Sequence, residues 1–362
     1  MKNYRVGIIG ATGMVGQRFT TLLENHPWFH VTALLASASS AGRTYREAVE
    51  GRWAMKTPIP AAMADMVIRD AADIDGVKEQ VDFVFCAVNM PKAQIRELEE
   101  AYAKAEIPVI SNNSACRGLD DVPMIIPELN ADHARVIETQ RHRLGTRRGF
   151  VAVKSNCSIQ SYVPALTPLK ERFGLTKVLA CTYQAISGAG KTFERWPEMV
   201  DNLIPYIGGE EEKSEKEPLK IWGHVADGRI VNDDTVAITT QCLRVPVSDG
   251  HTAAVFASFR EKPTVDEIKK IWAEFRTPAQ ELGLPSAPQQ FIHYFEEPDR
   301  PQAALDRNLE GGMAISLGRL RPDTQYDYKF VGLSHNTLRG AAGGSVLLGE
   351  FLVAEGYIDY KE

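Results

Sequence analysis

Cys157 follows a short apolar strand, residues 150–153, and opens a stretch that reads as a helix from about Ser158 through Phe173. A thiol at a helix N-terminus meets unpaired N–H groups and the positive end of the helix dipole, which favour the nucleophilic thiolate. Asn156 and Ser158 flank it and argue against a plain apolar core. Arg244 and His251 share one later segment that ends one strand and begins another, with Gly250 letting the backbone bend. A histidine can take a thiol proton and then serve as acid or base near neutral pH. An arginine can clamp a carboxylate with two parallel N–H bonds. Either residue alone is more often structural. Joined to a nucleotide-binding loop at the start of the chain, the three suggest oxidation or reduction of an acyl group through a thioester.

That loop is Gly10, Ala11, Thr12, Gly13, Met14, Val15 and Gly16, between an apolar strand (residues 4–9) and a helix from about Met14 to Glu24. Its spacing departs from G-x-G-x-x-G, because Ala11 and Thr12 separate the first two glycines. The physics is unchanged: a tight turn, close backbone approach to a pyrophosphate, and a dipole aimed at it. The second strand ends near Ala36, where an NAD site usually carries a carboxylate for the ribose 2′-hydroxyl. Here Ser37, Ser39, Ser40 and Arg43 follow instead, so the expected cofactor is NADP. Ser187–Thr192 imitates the end of a phosphate-binding P-loop. Its required first glycine would fall at Ala185, so it is set aside.

Strands alternate with helices up to about residue 155, and residues 81–88 are almost continuously apolar, as in a parallel strand covered on both faces. This predicts a doubly wound α/β unit. Beyond it, strands at 178–186, 236–245, 252–260, 313–319 and 326–333, with a helix over 264–275, predict a mixed sheet covered by helices. Residues 209–220 form a charged run, and a glycine-containing helix is expected from about Asn336 to Glu355. The chain has 362 residues, 44% hydrophobic and 24% charged, and a net charge of −6, with no basic excess to hold nucleic acid or a membrane surface. Five widely spaced cysteines form no metal or disulfide pattern. With no apolar leader or stretch of about 18 apolar residues, the expectation is a reduced, cytoplasmic enzyme without a membrane partner.

Taken together, Gly10–Gly16, Ser155–Ser158, Gln184–Gly190, Arg244–His251 and Ser334–Gly344 resemble aspartate-semialdehyde dehydrogenases along essentially the full chain. The resemblance is greatest to the archaeal and fungal branch. It implies an N-terminal Rossmann-like domain (1–155), an α+β catalytic and dimerisation domain (156–335) and a C-terminal helix (336–362) returning to the first domain. It also implies a homodimer or homotetramer acting on a small-molecule substrate, aspartyl phosphate or aspartate semialdehyde with phosphate. By this resemblance Cys157 forms the thioester, His251 is the acid/base and Gln184 orients the acyl group. Asn156 lies in the substrate site, Arg244 clamps the α-carboxylate, and Arg117 and Lys213 bind phosphate. Glu210 meets the amino group, although Glu211 and Glu212 beside it leave the register open. Asn336, with Ser187 and Gly188, contacts the nicotinamide. Cys116, beside Arg117, is a lesser candidate nucleophile. Malonyl-CoA reductases and N-acetylglutamyl-phosphate reductases share the chemistry. Two phosphate cations disfavour the first, and a carboxylate suited to a free ammonium disfavours the second. A non-catalytic NADP-binding redox sensor would not need Gln184, Arg244 and His251 together, and a cysteine hydrolase would need no nucleotide loop.

Overall fold

The computed structural model describes residues 3–360; the outermost two positions at each end of the expected domain spans lie outside the described residues. Among the described residues, the first half builds one parallel sheet. Its strands are β1 (Tyr4–Ile9), β2 (Phe29–Ala36), β3 (Arg69–Asp70), β4 (Phe83–Cys86), β5 (Val109–Ser111) and β6 (Val151–Val153). Their order is β3-β2-β1-β4-β5-β6, the doubly wound arrangement in which ligands sit beyond the carboxyl ends of the strands. β4, β5 and β6 are buried at every position, which explains their apolar runs. The nucleotide loop leaves the carboxyl end of β1, and the Cys157 loop leaves the carboxyl end of β6.

A second sheet contains β7 (Leu175–Gln184), β10 (Ala237–Arg244), β11 (His251–Phe259), β12 (Ile292–Phe295), β13 (Ile315–Pro322) and β14 (Tyr328–Ser334); β8 (His224–Ala226) and β9 (Arg229–Val231) form a small separate hairpin. The sheet is mixed, in the order β10-β7-β11-β14-β13-β12. β10 and β11 follow each other in sequence, yet β7 lies between them, parallel to one and antiparallel to the other. The short strands β3, β8, β9 and β12 are not marked by hydrophobic patterning.

Two expected helices are corrected. The one after Cys157 is interrupted: a 3₁₀ turn spans Ser158–Ser161, Tyr162 takes φ −141°, and the α-helix runs only over Val163–Phe173. Pro164 suits that later start, because the first turn needs no proline N–H. The last helix begins at Gly343, after a π-type turn at Leu338–Ala342 in which Ala341 leaves helical geometry. Buried Arg339 anchors the turn by pairing with both oxygens of Glu128 and donating to Gln160. Removing one partner of such a pair costs about 3–5 kcal/mol. Helix Gly343–Ala354 is buried from Gly343 through Val353 and packs on the first sheet. A Cβ on Gly349 would come within 3.0 Å of Ile110 and 3.3 Å of Phe85, so this glycine permits close packing.

Candidate active site

Sheet register gathers the chemistry. Parallel β7 and β10 end in register at Gln184 and Arg244, while antiparallel β11 begins at His251. His251 also pairs across to Ser334 at the end of β14, two residues before Asn336. One end of the second sheet therefore carries Gln184, Arg244, His251 and Asn336, and the Cys157 loop meets it there.

Cys157 Sγ lies 3.4 Å from His251 Nε2. The Ala185 N–H donates to His251 Nδ1 at 3.0 Å. Nδ1 is thus an acceptor, so the neutral ring carries its proton on Nε2, facing the sulfur. Burial, reinforced by Arg244, pushes the His251 pKa down to about 3. Burial also pushes the Cys157 thiol up, and the Glu210 carboxylate adds to this; Lys154, Arg117 and Arg244 oppose it. The expectation of a thiolate held by a helix dipole is corrected, because the four-residue 3₁₀ turn is short and desolvation outweighs it. Alkylation of the free enzyme by iodoacetamide should still be accelerating as pH rises past 9, the ordinary thiol value. A rate already level at neutral pH would show a preformed thiolate.

Asn156 is buried and fully used. Its Nδ2 donates to Glu210 Oε1 at 2.8 Å, and its Oδ1 accepts from the Ser158 N–H and hydroxyl. Gln184 Nε2 reaches the same Glu210 oxygen at 3.2 Å, and Lys213 Nζ holds the other at 2.9 Å. Burial would raise the Glu210 pKa, but Lys213, Asn156 and His251 together hold it below the ordinary carboxylate range. Of the three glutamates, Glu210 alone faces inward: Glu211 accepts from Gln241 and the Cys242 N–H, and Glu212 is exposed. The charged run of residues 209–220 folds as helix Glu210–Ile221. Arg244 donates to the Ala185 carbonyl at 2.7 Å. A Cβ on Gly188 would lie 2.7 Å from Arg244 Nη1 and 3.1 Å from His251, so a side chain there would displace the Arg244 guanidinium. Asn336 accepts from the Gly250 N–H and donates to Ser187 Oγ, which joins the Ser187–Gly188 turn to His251's strand. That turn is a short 3₁₀ segment, Ile186–Ala189, rather than a P-loop.

Arg117 donates from Nη1 to Glu217 and from Nη2 to the Asn112 carbonyl, while its buried Nε has no partner among the described residues. With Lys213 it lines a cavity of about 650 Å³ that also presents Lys92, Lys216 and Lys220. Cys116 is fully buried, and desolvation plus the Glu99 carboxylate drive its thiol far up. The expected lowering by Arg117 does not occur, since that guanidinium pairs with Glu217, and Cys116 is excluded as a nucleophile.

At the cofactor end, Gly10 takes φ +85°, and a Cβ there would lie 2.4 Å from the Ala87 carbonyl. A Cβ on Gly16 would lie 2.2 Å from the Gly10 carbonyl. Gly13 precedes helix Met14–Leu23 without a side-chain cap, and Met14 and Val15 begin it, so the first N–H groups stay available to a phosphate. Gly10, Thr12, Gly13 and Ser37 line a cavity of about 470 Å³ with Asn89, Met90 and Gln94. Ser39, Ser40 and Arg43 line a separate neighbouring cavity; the Ser37 and Ser39 hydroxyls meet at 2.9 Å, and the Ser40 N–H donates to the Ser37 carbonyl at 2.8 Å.

Sequence reasoning missed three buried groups near Cys157 and Arg117. Lys154 donates to the Ser155 carbonyl at 2.5 Å and to the Gly340 carbonyl, and burial pushes its pKa down to about 7. A lysine closing an apolar strand was its only signal. Glu217 and Lys220 continue the inward face of the Glu210 helix at helical spacing.

Residues 5–137 match the semialdehyde dehydrogenase NAD-binding domain, and residues 166–339 match the semialdehyde dehydrogenase dimerisation domain. Aspartate-semialdehyde dehydrogenase of Aspergillus fumigatus is 40% identical over 362 residues, covering 98% of each chain. The chain belongs to the aspartate-semialdehyde dehydrogenase family. Another member, from Archaeoglobus fulgidus, is 41% identical over 97% of this chain and 98% of its own. The crystal structure of the Candida albicans family member with NADP superposes with a TM-score of 0.89 at 37% identity, covering 99% of this chain and 100% of that one. The family's two-part architecture, nucleotide-binding sheet and mixed second sheet, is the one described above. No helix among the described residues is long and apolar enough to cross a membrane.

Proposed function

We propose that this chain catalyses the reversible, NADPH-dependent reductive dephosphorylation of L-aspartyl 4-phosphate to L-aspartate 4-semialdehyde, a step toward lysine, threonine and methionine. The observation that carries the reading is the Cys157–His251 contact at 3.4 Å, beside a carboxylate–arginine pair suited to an amino acid, in a chain of this family. Arg244 takes the α-carboxylate, Glu210 the α-ammonium, and Arg117 with Lys213 the phosphate. We take residues 1–155 as the cofactor unit, 156–335 as the catalytic and dimerisation unit, and 336–362 as the returning helix. The dimerisation-domain match and exposed Val200, Leu203 and Tyr206 support a homodimer or a dimer of dimers.

In the biosynthetic direction, the Cys157 thiol first loses its proton to solvent, and the thiolate Sγ then attacks the acyl carbon. The S–C bond forms as the C–O bond to phosphate breaks, and phosphate leaves toward Arg117 and Lys213. NADPH, when bound, supplies the hydride. His251 Nε2–H holds the oxyanion that develops on the former carbonyl, and collapse of the C–S bond returns the thiolate to the same donor. Because Nε2 already carries a proton, His251 works here as a donor rather than as the base that deprotonates the thiol. A substrate ammonium at Glu210 neutralises one of the charges that raise the thiol pKa. The 470 Å³ cleft at the glycine loop, lined by Gly10, Thr12 and Gly13, suits the pyrophosphate and adjoining ribose of a dinucleotide. The NADP-bound Candida relative and the lack of a carboxylate at the end of β2 favour NADP over NAD.

Purified protein with aspartate semialdehyde, phosphate and NADP should produce reduced nicotinamide in a phosphate-dependent way. Activity only when CoA replaces phosphate would move the chain to CoA-linked chemistry. In this assay Arg117→Leu is expected to raise the phosphate KM about tenfold or more, the scale of a charged hydrogen bond, while the semialdehyde KM stays within about twofold. Equal losses for both substrates would remove Arg117 from the phosphate site.

A further inference from the structure

The inward face of helix Glu210–Ile221 does not stop at Glu210 and Lys213. Two turns on, buried Glu217 spends both carboxylate oxygens across the site. Oε1 accepts from Arg117 Nη1 at 2.9 Å, and Oε2 accepts from the Asn156 backbone N–H at 2.5 Å. One rigid carboxylate thus spans two loops that leave neighbouring strands β5 and β6 and lie 39 residues apart in sequence, the guanidinium on one and the residue before Cys157 on the other. One turn further, buried Lys220 directs its ammonium at three backbone carbonyls of the arginine's own loop: Arg117 at 2.8 Å, Leu119 at 2.5 Å and Val122 at 2.8 Å. Its three N–H groups are therefore committed to the backbone.

We propose that Glu217 and Lys220 are positioning residues that fix the Arg117 guanidinium relative to the Cys157 loop, so that phosphate binding and thiol attack share one frame. The inference rests on the reading of Arg117 as a phosphate ligand. Glu217 holds Nη1, the Asn112 carbonyl holds Nη2, and Nε is left unpartnered, so the fork has one defined orientation. Lys220 fixes the loop from which the fork extends, and Asn156, held by the same carboxylate, holds Glu210. The device explains why a carboxylate is kept beside a phosphate-binding cation, where net charge alone would disfavour it.

The test is a double-mutant cycle on the full-length enzyme in the oxidative direction, with aspartate semialdehyde, inorganic phosphate and NADP. Glu217→Gln and Lys220→Met are each expected to raise the phosphate KM about tenfold, about 1.4 kcal/mol, and to leave the semialdehyde KM within about twofold. In an Arg117→Leu background neither should raise the phosphate KM further, because each acts through Arg117. A full additional rise in that background overturns the proposal, as does a fall in phosphate KM in Glu217→Gln, which would make Glu217 a mere competitor of phosphate. An Arg117→Leu variant with unchanged phosphate KM would instead overturn the phosphate reading on which the proposal rests. If Lys220→Met does not fold, because three carbonyls lose their donor, the nearly isosteric Glu217→Gln carries the cycle alone.

Discussion

Cys157→Ala is expected to abolish turnover in both directions, by about 10⁴-fold or more, the scale on which removing a covalent nucleophile acts. Neither Cys116 nor Cys86 can take its place: both are fully buried with their thiols driven far up. The variant should fold and bind NADP as the parent does. Alanine keeps the Cβ that packs against Gly340, and Cys157 does not line the glycine-loop cleft. The measurement pairs nicotinamide absorbance in the steady state with a binding titration of NADP and a thermal melt. Turnover retained within about tenfold would remove the thioester from the mechanism. A lost melt or lost NADP binding would show that the residue holds structure rather than chemistry.

The second large effect is at His251. His251→Leu should lower kcat about 10²–10³-fold, the usual loss when one donor to a developing oxyanion is removed. His251→Gln, whose amide can place an N–H near the Nε2 position, should recover a measurable part of that loss. An amide cannot act as a base, so recovery distinguishes a donor from a proton acceptor. The pH profile gives an independent reading. With its pKa pushed down to about 3, His251 is neutral across the working range and contributes no acid limb near 6.5. The limb seen in kcat/KM should come from the raised Cys157 thiol, so the rate increases with pH as the thiolate forms. An acid limb near 6.5 that disappears in His251→Gln, with both variants equally inactive, would restore the general-base role.

Much of this molecule was readable without coordinates, and for local reasons. The glycine loop was identified because a positive φ at Gly10 and close backbone approaches at Gly10 and Gly16 leave no alternative residue. The parallel sheet was legible because strands covered on both faces must be apolar throughout. The helix edges failed where a neighbour overrode the local pattern. Tyr162 breaks the helix after Cys157, and the pull of Arg339 toward Glu128 accompanies the irregular turn before Gly343.

The sequence by itself determined the fold class, the nucleotide loop, and the reactive residue types. The loop and the residue types are encoded by local spacing, and the fold class by the alternation of strands and helices along the chain. Only the tertiary structure decided which of those residues meet and in what protonation state. Cys157 and His251 are 94 positions apart, and Arg117 and Glu217 are 100 apart. Their encounters depend on sheet register and on one face of helix Glu210–Ile221. The same packing sets desolvation, so it turned an expected thiolate into a raised thiol and placed the histidine proton on Nε2. It also disclosed Lys154, Glu217 and Lys220, whose roles lie in contacts that no local spacing records.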